Sequence, residues 1–86
     1  MSQISYFLGV IIRMFYRDHN PPYFLAVYSD FEAIIDIEKN EIIGGHLPPR
    51  VLGIVTEWTA LHQPELMVNW ERARNQESLN GIEPLV

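Results

Sequence analysis

A polar corner with two prolines interrupts the strongly apolar first part of the chain, and it reads Asp18-His19-Asn20-Pro21-Pro22-Tyr23-Phe24. A residue that precedes proline is pushed away from the helical region, and consecutive prolines favour a stiff, extended path. The corner therefore predicts a rigid connection at which the first element ends. We expect one long strand before it, and hairpins followed by helices after it.

The segment before the corner alternates. From Ile4 to Tyr16 every even position is apolar or aromatic, whereas the odd positions are mixed. This period of two predicts a strand over residues 4–17 whose even positions face a core. Gly9 inside the run predicts a bulge or a bend. The less buried face then carries two arginines, Arg13 and Arg17. The apolar residues beside them on this face are Phe7, Ile11 and Phe15.

Shorter elements are predicted after the corner. Strands are expected over residues 23–28, 31–38 and 41–45, with turns at Ser29-Asp30 and Lys39-Asn40. Helices are expected over residues 49–62 and 64–76, with a break near Gln63 because Pro64 lacks an N–H donor and clashes with the preceding turn. Residues 77–86 are expected to be irregular.

Together these elements predict one domain over residues 1–86 of the α+β class. Its antiparallel sheet has three or four strands and is packed on one face by two C-terminal helices. Trp58 and Trp70 recur with aliphatic residues at helical spacing, which predicts that both lie in the core rather than on a ligand platform.

Composition excludes several classes of function. The 86 residues contain no cysteine, so there is no thiol nucleophile and no thiolate metal site, and a reducing cytoplasm fits. The formal net charge of −5 disfavours non-specific nucleic-acid binding. The apolar run before Arg13 is too short to span a bilayer. The three histidines, His19, His46 and His62, lack the spacing of a metal motif, so we predict neither a metal site nor a cofactor.

Several short motifs, in order along nearly the whole chain, resemble the bacterial domain of unknown function 4160 family. They are Ile4-Ser5, Asp18-His19-Asn20-Pro21-Pro22, Ala33-Ile34-Ile35-Asp36-Ile37, Leu47-Pro48-Pro49-Arg50, Glu57-Trp58, Asn69-Trp70-Glu71 and Ile82-Glu83-Pro84-Leu85. The resemblance implies that this chain is the partner of a second small protein, and that the two form a toxin–antitoxin-like pair. The family pattern places histidines on both sides of Phe24, where this chain has Tyr23 and Leu25. That departure argues against an enzymatic site.

Two readings of the corner stay open. In a ribonuclease-type site, Arg17 would steady phosphate charge while His19 moves a proton, with Arg13 and Tyr23 assisting. In the alternative, Asp18, His19 and Asn20 satisfy backbone groups of a turn. Adjacent residues of an extended chain point in different directions, which favours the second reading.

The arginines of the first strand also have two readings. Arg13 and Arg17 form an anion-binding patch, or they pair across strands with Glu32, Asp36 or Glu38. In either case, charge beside apolar residues makes an amphipathic face on which a partner can dock.

We therefore expect a small cytoplasmic protein-interaction module, which binds a small protein partner or a second copy. Its predicted binding residues are Phe7, Arg13, Tyr23 and Phe24. The alternative is a ribonuclease-type toxin that uses Arg17 and His19, for which RNA would be the substrate. A membrane partner is not expected.

Overall fold

The computed structural model describes residues 2–16 and 19–86, and the predicted catalytic Arg17 and its neighbour Asp18 lie outside this part of the chain. The described residues form five strands followed by one helix. The elements are β1 (Ser2–Phe7), β2 (Val10–Met14), β3 (Tyr23–Tyr28), β4 (Phe31–Asp36), β5 (Glu41–His46) and α1 (Pro49–Arg74). The strands form one antiparallel sheet in the order β1-β2-β3-β4-β5. The α+β class with an antiparallel sheet is thus confirmed.

The predicted long strand over residues 4–17 is wrong, because Leu8 and Gly9 turn the chain back on itself and make a hairpin of β1 and β2. Both turn residues have positive φ angles, 49° at Leu8 and 83° at Gly9. Two consecutive left-handed residues match the twist of a two-residue hairpin, for which glycine is suited. Gly9 therefore marks a turn rather than the predicted bulge, and the sheet gains a strand.

The helical part also differs from the prediction. In place of two helices over residues 49–62 and 64–76, one helix of 26 residues runs from Pro49 to Arg74. It is kinked at His62, which has φ −126° and ψ 19°, two residues before Pro64. The predicted effect of Pro64 is therefore present, but the chain continues as a helix beyond it. The side-chain amide of Gln63 holds the kink against the sheet by donating to the carbonyl oxygen of Ile37 at 2.9 Å.

The core lies between the helix and one face of the sheet. Trp58 is fully buried and Trp70 is 1% exposed, which confirms the prediction that both are core residues. The C-terminal segment packs along β1, although it forms no strand: the N–H of Ile82 donates to the carbonyl oxygen of Ile4 at 2.9 Å. The buried hydrophobic side chains are those of Ile4, Phe7, Val10, Ile12, Met14, Phe24, Ala26, Ala33, Ile35, Ile37, Leu47, Val51, Val55, Trp58, Leu66, Trp70, Ala73 and Ile82.

Candidate interaction surface

The sheet has a second face, which points away from α1 and which we call the open face. Strand alternation places on it the side chains that are not directed at the helix, and most of these are partly buried or exposed. The open face includes Tyr6, Ile11, Arg13, Phe15, Leu25, Val27, Glu32 and Ile34. The helix and the segment around Ile82 pack on the other side of the sheet. The sheet therefore carries an apolar surface on each face, and α1 covers one of them.

Strand register gathers the aliphatic residues of the open face into one block. Ile11 of β2 lies opposite Val27 of β3, and Leu25 of β3 lies opposite Ile34 of β4. These four residues fill adjacent positions on three neighbouring strands, so their side chains form one contiguous patch. We call this patch the aliphatic block.

A groove borders the aliphatic block on one side. It has a volume of about 240 Å³ and is lined by Phe15, Leu25, Glu32, Ala33, Ile34 and Gly45. Gly45 has a φ of 77°, and a Cβ added there would collide with the carbonyl oxygen of Glu32. The close backbone approach of β5 to β4 at this point requires glycine.

Two charges flank the aliphatic block at diagonally opposite corners. Arg13 of β2 lies opposite Leu25, and Glu32 of β4 lies opposite Val27. The direct cross-strand neighbours of Arg13 are Gln3 and Leu25, and its pairing with Glu32, Asp36 or Glu38 stays a prediction. The open face is therefore apolar at its centre and carries opposite charges at two of its corners.

Two of the predicted binding residues are in the core. Phe7 is 2% exposed and its ring centroid lies 5.2 Å from that of Trp58. Phe24 is fully buried and meets the edge of Trp58 at 5.8 Å. The placement of Phe7 on the less buried face is wrong, because the turn at Leu8 and Gly9 pairs Phe7 with Val10, which faces the helix. Neither ring is accessible to a partner of the folded protein.

The described residues of the proline corner, His19 and Tyr23 among them, differ in their surroundings. His19 is exposed, and its Nδ1 lies 3.4 Å from the carbonyl oxygen of Asn20. Tyr23 is half-buried, with its ring 6.1 Å from that of Phe15 and 5.5 Å from that of Trp70. Since Arg17 is outside the described residues, the proposed pairing of Arg17 with His19 stays a prediction.

Leu25 and Val27 are surface residues that were not predicted, and Tyr6, predicted on the core face, is exposed. A signal for the first two was present, since they are the alternate positions of a strand whose bounds are confirmed at 23–28. Tyr6 is 58% exposed because the turn at Leu8 and Gly9 pairs it with Ile11 on the open face. Asp36, a predicted partner of the arginines, is instead buried and accepts a hydrogen bond from the backbone N–H of Lys39 at 2.9 Å.

Other kinds of site find little support among residues 2–16 and 19–86. Within them, no three His, Asp or Glu side chains come close enough together to hold a metal ion. The described helix lacks an apolar stretch that could cross a bilayer. A cavity of about 330 Å³ lies at the helix kink, lined by Ile37, Glu38, Gln63, Pro64 and Met67. Glu38 is the one charged residue among those that line it.

Comparison with known proteins gives a match to one family model, described as "Domain of unknown function (DUF4160)", over residues 9–71. No curated protein and no solved structure matches the chain. The matched span begins at the turn between β1 and β2 and ends within α1. It includes most of the open face.

Proposed function

The chain belongs to the domain of unknown function 4160 family, and we propose that it works as a small protein-interaction module that docks a protein through its open face. In keeping with the family resemblance, the module is one half of a toxin–antitoxin-like pair. It acts in the cytoplasm, a compartment that suits its cysteine-free composition.

The observation that carries the proposal is the aliphatic block on the sheet face opposite α1. Contiguous apolar patches that are rimmed by polar residues are typical of binding surfaces. Full burial of an aliphatic side chain contributes about 1.5–3 kcal/mol. Ile11, Leu25, Val27 and Ile34 are each partly exposed in the described structure, so a fraction of this free energy remains available to a partner.

Photo-crosslinking tests the docking surface directly. A photoreactive phenylalanine analogue is placed at Leu25 on the open face or at Val68, which is 52% exposed on the helix and serves as the control. After irradiation in cells, Leu25 should give discrete crosslinked products that Val68 does not. Identical product patterns from the two positions would contradict a docking role for the open face.

Bacterial growth separates this proposal from the ribonuclease-type alternative. The parent chain and His19→Ala are induced in parallel, with RNA integrity checked in each culture. An interaction module predicts that the two have the same effect on growth, because His19 lies outside the open face. Growth arrest with RNA cleavage by the parent and by Val68→Ala, but not by His19→Ala, would favour a catalytic toxin instead.

A further inference from the structure

We infer that the open face binds a second copy of this chain, with Arg13 of each copy facing Glu32 of the other. The two sheets would pack face to face, with both helices outside. This inference rests on the proposed interaction function and names the partner. It follows from where the register places the two charges relative to the aliphatic block.

The positions of Arg13 and Glu32 are related through the centre of the block. They are two strands apart, and Glu32 is one same-face step along β4 from Ile34, which is level with Arg13. Strands lie about 4.8 Å apart and same-face residues about 6.7 Å apart, so the two Cα atoms are separated by roughly 12 Å. Consider two facing sheets with a two-fold axis midway between them and parallel to both. If the axis is perpendicular to the line from Arg13 to Glu32, it places Arg13 of one copy opposite Glu32 of the other.

The same axis brings apolar residues onto apolar residues. Ile11 and Ile34 occupy the other diagonal of the block, close to the axis, so each packs against its own equivalent. Leu25 and Val27 fill the space between them. The surface is thus self-complementary, as a two-fold interface requires. The strands of the two sheets would cross at roughly 70°, which is near the orthogonal class of sheet packing.

Charge complementarity favours a second copy over an unrelated partner. Each dimer would contain two Arg13–Glu32 pairs that flank the aliphatic block, where opposite charges fix orientation. The face measures about 24 Å by 17 Å from strand spacing and rise. Burial on the order of 1,000 Å² in total belongs to the weak, reversible class of complexes. The dimer should therefore depend on concentration.

Sedimentation velocity on two charge-reversed variants tests the pairing. In a dimer of Arg13→Glu, two acids face each other at each pair, and in a dimer of Glu32→Arg, two arginines do. Each variant alone should therefore dimerise at least about tenfold more weakly than the parent. An equimolar mixture should recover the dimer, because Glu at position 13 of one chain then faces Arg at position 32 of the other. The second pair of that heterodimer is the native one.

Matched controls come from the helix. Arg50→Glu and Glu57→Arg make the same charge changes at exposed positions away from the open face. Both should dimerise as the parent does, alone and mixed. Circular dichroism checks that each variant is folded, which matters for Arg13 because it also has a contact within its own chain.

A second measurement does not depend on the charges. Facing sheets lie about 10 Å apart, too far for a disulfide between their Cα positions, so a short bismaleimide is used instead. Since the chain has no cysteine, Ile34→Cys provides one thiol near the axis. It should give a crosslinked dimer, whereas Val68→Cys should not.

The inference would be overturned if the parent chain stays monomeric up to about 1 mM, which is well above the Kd of micromolar complexes. It would also be overturned if the equimolar mixture of the two variants dimerises as weakly as either variant alone. The proposed function would survive either result if the crosslinker at Leu25 captures a different protein reproducibly. Loss of all specific crosslinks at Leu25 would overturn both.

Discussion

The indole Nε1 of Trp58 donates a hydrogen bond to the backbone carbonyl oxygen of Glu83, 2.8 Å away and 25 residues later in the chain. Beside it, Ser5 Oγ donates to the carbonyl oxygen of Ile82 at 2.9 Å. These bonds, with the backbone bond from Ile82 to Ile4, hold an irregular segment against β1 and the helix. The segment thereby becomes part of the core although it has no regular secondary structure.

Ile82→Ala should therefore be strongly destabilising. Ile82 is 5% exposed, and truncating a buried isoleucine to alanine costs about 2–4 kcal/mol through lost burial and the cavity left behind. Val86→Ala is the matched control, because Val86 is 84% exposed and its free energy of unfolding should change by less than about 0.5 kcal/mol. Urea denaturation measures both. Equal effects would show that the segment is not packed as described.

Alanine at two glycines should have opposite effects. Gly45→Ala places a Cβ against the carbonyl oxygen of Glu32 at a left-handed φ, so we expect a loss of about 3 kcal/mol or more. Gly53 lies in α1 with no atom within 4 Å of the position that a Cβ would take, and alanine there should stabilise the protein by about 0.5–1 kcal/mol through helix propensity. Chemical denaturation of the pair checks the signs, and a tolerated Gly45→Ala would contradict the described approach of β5 to β4.

Leu8→Asn should stabilise the hairpin. Leu8 is 54% exposed with a φ of 49°, a conformation that asparagine tolerates better than leucine, and Asn-Gly is a favoured two-residue turn. We expect a gain of about 0.5–1 kcal/mol in the free energy of unfolding.

Leu61→Asn provides the control for Leu8→Asn. Leu61 is 63% exposed on the helix, so the same change should cost about 0.5 kcal/mol in helix propensity. A thermal melt compares the two variants. A lower midpoint for Leu8→Asn than for the parent would argue against the left-handed turn.

Adjacent aromatic residues of β1 should separate core from surface. Phe7→Ala should cost about 3–5 kcal/mol, because its ring is buried against Trp58. Tyr6→Ala, on the open face, should cost less than about 1 kcal/mol. Denaturant midpoints decide the matter, and a larger effect at Tyr6 would place the faces of β1 the other way round.

The strands and the helix kink after the proline corner follow local rules, and the sequence predicted their positions closely, although not the number of helices. The strand over 23–28 has the predicted bounds, and β4 and β5 are each within two residues of theirs. The kink at His62 lies one residue from the predicted break. Turn residues and proline act through their own backbone geometry, so these features can be inferred without knowledge of tertiary contacts.

The first hairpin could not be predicted in the same way. A leucine with positive φ is not a turn signal, and the apolar alternation from Ile4 to Tyr16 runs through Leu8 and Gly9 without interruption. Without this turn the two faces of β1 are predicted the wrong way round, with Phe7 on the surface and Tyr6 in the core. The aliphatic block, by contrast, could have been predicted from the alternation of Leu25 and Val27 in β3.

Ile82 in the C-terminal segment packs against β1, and both the segment and β1 lie outside the family match over residues 9–71. A protein made of that span alone would lack both β1 and the C-terminal segment. It would therefore lack the ring of Phe7 and the carbonyl oxygen that accepts the hydrogen bond from Trp58. The stretch by which relatives are recognised is therefore smaller than the unit that folds. A comparison among relatives restricted to that stretch would cover most of the open face but leave out the residues that pack around the indole of Trp58.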